Sequence, residues 1–203
     1  MTDIVWAAHA DAEAVADRIA SVLSRPGPRS IAVPGGRTPI PIFDLLRRQP
    51  LPWGKATVTL TDDRIVPHDH PASNFGLLSQ ALDATPAHLV PLSEGMALSR
   101  FDLVWLGMGA DGHIASIFPG SNLPESPATV LRTLPDPLPP EAPFERLTLS
   151  QSALLDTDEL ILVLRGADKR AVLEAAIAGE NDLPIARLIR AATSPITIFW
   201  SRT

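Results

Sequence analysis

The chain contains no cysteine, so neither a disulfide nor a thiolate metal site is available to it. It also lacks any apolar run approaching the ~20 residues that a membrane span requires. Positive charge is in deficit: 17 Lys and Arg stand against 23 Asp and Glu, for a formal net charge of −6 and a pI near 5.3. That balance argues against a general nucleic-acid binder, which presents a basic surface. It leaves room for a local cationic pocket that takes a small anion. The opening stretch MTDIVWAAHADAEAV carries early acids and no basic n-region, so it does not read as a signal peptide. Walker P-loop spacing and a serine nucleophile-elbow motif are both missing. These exclusions leave a soluble, cytoplasmic protein with no nucleic-acid or membrane partner as the expectation.

What is present suits a globular chain. At 203 residues, 45% of them hydrophobic, it is long enough for one domain (1–203) with a sizeable core. Apolar residues at Val15, Ile19, Val22 and Leu23 predict a helix over 11–24, stopped by Pro26-Gly27-Pro28. Strands are expected at 30–33, 56–61, 103–106, 146–149, 160–164 and 196–200. Helices are expected at about 39–48 (Ile42, Phe43, Leu45 and Leu46 inward), 75–82, 114–118, 169–178 and 183–190. Residues 83–100 read as a connector, and 119–143, dense in proline, as one long loop. Strand and helix in alternation predict an α/β fold, a mostly parallel sheet with helices on both faces.

Polar clusters recur where these strands end, the edge at which open α/β sheets bind ligands. After the first comes Pro34-Gly35-Gly36-Arg37-Thr38-Pro39, whose glycine amides can turn toward an anion, with Thr38 as a plausible helix cap. After the second comes Asp62-Asp63-Arg64. Alternation puts the two acids on opposite faces, so one of them faces the pocket. The third is Gly107-Met108-Gly109-Ala110-Asp111-Gly112-His113, which sets a near-neutral base at a strand's carboxyl end. Lys169 lies at a helix start, where a cation opposes the dipole unless it meets a phosphate. Each cluster also has a plain structural reading: a tight turn, a solvated acidic turn, a surface lysine. His68-Asp69-His70 has the form of a metal-ligand run. Pro67 and Pro71 bracket it and no further ligand spacing joins it, so it reads as an extended exposed loop, and no metal is expected.

Taken in order, PGGRTP (34–39), TDDRIVPHDHPASN (61–74), FDLVWLGMGADGHIASIFPG (101–120), RLTLS (146–150), LVLRGADKRAVL (162–173) and LPIARLI (183–189) resemble the 6-phosphogluconolactonase family. That family shares a broader Rossmann-like fold with glucosamine-6-phosphate deaminase and ribose-5-phosphate isomerase. The resemblance implies hydrolysis of 6-phosphoglucono-δ-lactone to 6-phosphogluconate, the second step of the oxidative pentose phosphate pathway. It implies a phosphorylated sugar lactone as the small-molecule partner, no metal or organic cofactor, and a monomer or weak homo-oligomer. Carried over by position, His113 is the base that activates water and Asp111 orients it or shapes the site. Gly35, Gly36, Arg37 and Thr38 hold the 6-phosphate, with Lys169 and Arg146 adding charge. Arg64, with Asp62 behind it, lines the sugar pocket. The chemistry is consistent: a lactone is an activated ester, so a base for water and donors for the oxyanion suffice. Those donors are amides of the 107–112 turn or the Arg64 guanidinium.

The chain departs from the family pattern at Asp63, where Glu is usual, and at Arg37, where Ser is frequent. The 83–100 connector is short, and no acid follows Trp200. Two rival readings share the fold. An amino-sugar phosphate deaminase/isomerase has the same DGH turn, but it continues into an Asn-Glu-Pro segment where this chain has Ser116-Ile117-Phe118-Pro119. A non-catalytic sugar-phosphate sensor carries an appended DNA-binding helix-turn-helix, for which this chain has no room.

Overall fold

The structure is a computed structural model that describes residues 2–121, 123–124, 127–139 and 142–202. The elements run β1 (Ile4–Trp6), α1 (Ala12–Leu23), β2 (Arg29–Val33), α2 (Ile40–Arg47), β3 (Ala56–Leu60), β4 (Asp62–Arg64) and α3 (Asn74–Ala81). Then follow β5 (His88–Val90), β6 (Leu103–Leu106), β7 (Val130–Thr133), β8 (Arg146–Leu149), α4 (Gln151–Leu155), β9 (Leu160–Arg165), α5 (Ala167–Ile177), α6 (Pro184–Ala191) and β10 (Ile196–Ser201).

Seven strands form one sheet in the order β1-β10-β9-β6-β2-β3-β5, and every neighbouring pair is parallel. Residues along its central strands alternate between two hydrophobic clusters. Ile31, Val33, Leu103, Trp105, Ile161 and Phe199 pack with α1, α2 and α3 through Val15, Ile19, Phe43, Leu46 and Leu78. Ala32, Val104, Leu106, Leu160, Leu162 and Ile198 face the other way, onto Leu154, Leu173, Ile185 and Leu188 of α4, α5 and α6. The period-2 side-chain alternation of a strand therefore places helices on both faces, as the pattern predicts. Each fully buried Leu or Ile in these layers contributes on the order of 1.5–3 kcal/mol.

Several elements depart from the sequence reading, three strands among them. Ile4–Trp6 is an edge strand, and the 83–100 connector contains β5, the opposite edge. Both strands have only three residues, too few for a periodicity to show. The expected long loop at 119–143 contains β7, which joins β4 and β8 in a separate antiparallel sheet of order β4-β8-β7. Pairing with distant strands gives β7 its structure, overriding the local proline content. No helix among the described residues is long and apolar enough to cross a membrane.

The chain reverses its direction of progress across the sheet between β2 and β6: β3 and β5 lie beyond β2, while β9 and β10 lie beyond β6. Loops leaving the carboxyl ends of two such strands diverge to opposite faces and open a crevice between them.

Candidate active site

A cleft of about 400 Å³ occupies that crevice. The loops after β2 (Pro34, Gly35, Gly36, Thr38 and Pro39), β3 (Thr61), β6 (Gly107 to Gly109, His113) and β9 (Arg165) all line it, together with Lys169 in the first turn of α5. The small sheet closes one side with Asp62, Arg64 and Arg146. The lining holds four cations, Arg64, Arg146, Arg165 and Lys169, and one carboxylate, Asp62. A chain of net charge −6 thus builds a locally cationic pocket.

His113 is half-buried, and its Nδ1 lies 2.7 Å from Asp111 Oδ1. That carboxylate also accepts the His113 amide N–H at 3.2 Å. An ionised Asp111 can only accept, so the neutral imidazole that suits this pairing is the tautomer with its proton on Nδ1 and its lone pair on Nε2. Burial alone would raise the Asp111 carboxyl, but the neighbouring imidazole and N–H outweigh it and hold the group below its ordinary value. Asp111 itself is exposed and does not line the cleft; it stands behind the ring. The Phe118 ring lies 4.9 Å from the imidazole centroid, and the Arg146 guanidinium lies over the Phe118 ring at 5.6 Å from its centroid. Gly109 is required here for space: a Cβ on it would sit 2.2 Å from His113 Nδ1 and 2.4 Å from Asp111 Oδ1.

The expected short helix at 114–118 is absent. Ile114 and Ile117 bridge one another across a tight turn, and Ala115 adopts a positive φ of 48°. Ser116, at the tip, is bound to Asp62 and Thr148. Those tertiary bonds select the turn over a helix whose apolar spacing the sequence otherwise permits.

Asp62 and Asp63 point to opposite sides of β4. Asp62 lines the cleft, whereas Asp63 accepts the amides of Arg64 (2.7 Å), Asn74 (2.7 Å) and Phe75 (3.0 Å), and so secures the start of α3 beside the Ser73 cap. Burial raises the Asp63 carboxyl, against the pull of those three N–H groups. Arg64 donates through Nη1 to Ala72 O and Asn74 Oδ1, both at 2.9 Å. Asn74 in turn donates from Nδ2 to the Asp62 carbonyl at 3.1 Å. This Asn is buried against Gly35, where a Cβ would lie 2.1 Å from its Cγ. It therefore ties the diglycine loop to the arginine wall.

Arg146 is 8% exposed and stands opposite Arg64 in the β4–β8 register. Burial pushes its guanidinium below the ordinary range, with the Asp62 carboxylate opposing that shift and the Arg64 cation adding to it. It sits on the side of the cleft that carries His113 and Phe118. The Nε atoms of Arg64 and Arg146 and the Thr61 hydroxyl are buried with no partner.

Of the other positions singled out from sequence, Gly35, Gly36, Thr38 and Lys169 line the cleft. Arg37 does not: it follows Gly36, whose positive φ of 84° redirects the chain, and its side chain is exposed. Thr38 is not the cap of α2 either; Pro39 holds the cap position, with no side-chain bond. Arg165 and Asn74 are lining residues that the sequence reading did not assign to the site. Arg165 could have been found by the strand-end logic that found the others. Asn74 was visible only as part of a helix start. His68 packs its ring on Phe75 at 4.6 Å, and His70 Nδ1 accepts from Ala72 N at 3.1 Å. Among the described residues, no group of three or more His, Asp or Glu side chains is arranged to hold a metal ion.

Comparison with known proteins fits this geometry. The family model "Glucosamine-6-phosphate isomerases/6-phosphogluconolactonase" matches residues 5–97 and 87–200. The chain is 36% identical to 6-phosphogluconolactonase of Rhizobium meliloti, over 94% of each chain. It is 34% identical to 6-phosphogluconolactonase of Pseudomonas aeruginosa, over 97% of this chain and 93% of the relative. Among solved structures, a putative 6-phosphogluconolactonase from Neisseria gonorrhoeae superposes with a TM-score of 0.84 at 30% identity, covering 98% of this chain and 99% of that one.

Proposed function

Because the chain belongs to the glucosamine-6-phosphate isomerase/6-phosphogluconolactonase family, we propose that it is a single-domain carboxylic ester hydrolase that opens 6-phospho-D-glucono-1,5-lactone to 6-phospho-D-gluconate. The observation that carries this reading is the imidazole of His113, its Nδ1 paired with Asp111, lining the same cleft as a diglycine loop and Lys169.

The division of labour follows from charge and position. The 6-phosphate dianion is held by the Gly35-Gly36 loop with Lys169 and Arg165, all of which line the cleft. The lactone carbonyl lies toward His113. Nε2 takes a proton from water as its oxygen bonds to C1. The carbonyl oxygen gains negative charge, which the Arg64 guanidinium stabilises. Two amides of the turn are already engaged, Gly109 N with His113 O and Gly112 N with Gly109 O, so any help to Arg64 at the oxyanion comes from the other amides of the turn. The C1–ring oxygen bond then breaks, the imidazolium returns its proton to the departing ring oxygen, which becomes the C5 hydroxyl, and the carboxylic acid left at C1 ionises by losing its proton to solvent. Asp62 and Arg146 bound the sugar ring on the small-sheet side. Arg146, beside Arg64 and Phe118, belongs with the reacting end and not with the phosphate.

Nothing in this scheme calls on a metal or organic cofactor, and the reading keeps the cytoplasmic setting and the monomer or weak homo-oligomer inferred from sequence. The decisive assay generates lactone in situ with glucose-6-phosphate dehydrogenase and follows its lifetime. Catalytic amounts of the protein shorten it. Ammonia release from glucosamine 6-phosphate, with no effect on the lactone, would establish the deaminase alternative. That chemistry is disfavoured by Phe118, an apolar ring against the imidazole in a segment with no acid.

A further inference from the structure

Ser116 has no part in the reaction scheme above, yet it is fully buried at the tip of the Ile114–Ile117 turn, three residues after the base. Its hydroxyl donates to Asp62 Oδ2 at 2.6 Å. Its amide N–H donates to Thr148 Oγ1 at 3.2 Å, and Thr148 faces Asp62 across the β4–β8 ladder. Both bonds therefore cross from the loop that carries His113 to the small sheet that carries Asp62, Arg64 and Arg146. We propose that Ser116 is a positioning residue of the lactonase: it fixes the Asp62 carboxylate toward the cleft and sets the spacing between the imidazole turn and the arginine wall.

The chemistry of the contact supports this assignment. An O–H···O⁻ bond of 2.6 Å is in the short, charge-assisted class. Its acceptor is buried to 8% exposure, where an undonated carboxylate oxygen is costly. The hydroxyl proton is committed to Asp62 and the side chain is shielded from solvent, so Ser116 is no nucleophile. From Asp62 the network continues through its carbonyl to Asn74 Nδ2 and from Asn74 Oδ1 to Arg64 Nη1. The same two bonds hold Ala115, a lining residue, in its left-handed conformation. Ser116→Ala removes the hydroxyl bond to Asp62 while leaving the amide bond to Thr148 and every lining side chain in place.

This inference rests on the reading that Asp62 meets the sugar, and a double-mutant cycle separates the two. kcat and KM on lactone made in situ are measured for wild type, Ser116→Ala, Asp62→Asn and the double variant, with circular dichroism and Tm reporting the fold. Ser116→Ala is expected to lower kcat/KM by about 10- to 100-fold in the wild-type background. In the Asp62→Asn background it is expected to cost less than about threefold, because the charged carboxylate that the hydroxyl serves is already replaced by a neutral amide. An unchanged Ser116→Ala enzyme, or the same factor in both backgrounds, would overturn the assignment. Ser116→Cys keeps the side chain's reach but is a weak donor; if the alanine variant does not fold, it goes through the same cycle and the same results decide. A wild-type protein inactive on the lactone would overturn the functional reading as well.

Discussion

Replacing Gly109 by alanine places one methyl group where the proposed base and its orienting carboxylate meet. The new Cβ would lie 2.2 Å from His113 Nδ1, 2.3 Å from His113 Cε1 and 2.4 Å from Asp111 Oδ1. Ordinary contact between such atoms begins near ~3.5 Å, so the imidazole, the carboxylate or both must retreat by roughly 1 Å. Misplacement of that size costs a reaction about 10²-fold, or ~2.7 kcal/mol of barrier. Gly109 contributes no side chain to the core, although its neighbour Met108 belongs to one of the hydrophobic clusters, so the cost in global stability should be modest. The expectation is that Gly109→Ala keeps its circular dichroism spectrum and Tm within a few degrees while kcat for the lactone falls about 100-fold or more. The phosphate end of the cleft is untouched, so binding of 6-phosphogluconate by calorimetry should weaken far less. A variant with wild-type kcat would refute the reasoning, because the ring cannot keep its place beside that methyl.

Other substitutions probe separate parts of the structure. Lys169→Ala should raise KM about tenfold, ~1.4 kcal/mol, with kcat nearly constant, because it removes charge from the group remote from the reacting carbon; steady-state kinetics decide it, and an unchanged KM would remove Lys169 from the phosphate site. Asp111→Asn should lower kcat roughly tenfold or more by freeing the imidazole tautomer. It should also carry a pH signature: the Asp111 carboxyl is held low in the folded state, so its stabilising contribution is complete above the ordinary carboxyl range and is lost as pH falls through the lowered value. The Tm gap between wild type and Asp111→Asn should therefore be present at neutral pH and close in acid. Far from the site, Arg18 Nε bonds Glu159 Oε1 at 2.5 Å, with the Glu159 side chain only 4% exposed and Arg18 42% exposed. Arg25 stands farther off, at 3.8 Å. Arg18→Ala should cost about 1–2 kcal/mol, less than a fully buried pair because Arg18 is partly solvated, and lower Tm by a few degrees with kcat unchanged.

Much of the architecture was legible because burial imposes simple periods. Leu103–Leu106 and Leu160–Leu164 are continuous apolar runs since both faces of the parallel sheet are covered, and the Val15–Ile19–Leu23 stripe gave α1 to within one residue at each end. The strand ends that carry His113, Asp62, Arg64 and the diglycine loop were legible for the same reason: polar residues cluster where buried strands stop. What escaped depended on contacts between distant segments. Ile114–Phe118 has helical spacing, but two bonds from Ser116 to the small sheet make it a turn. β7 lies in a proline-rich stretch and exists through its ladder with β8. Asn74 carries no site signal of its own in the sequence; its amide spans Arg64 and the Asp62 carbonyl. Arg37 showed the reverse failure, a cation next to the glycines in sequence that the chain turns away from the cleft.

The central proposal is that the His113 imidazole takes the proton from the attacking water, and kcat of His113→Ala on lactone made in situ tests it most directly. With the fold intact by circular dichroism and product binding retained, kcat should fall by about 10²–10⁴-fold. A folded His113→Ala enzyme turning over at the wild-type rate would contradict it.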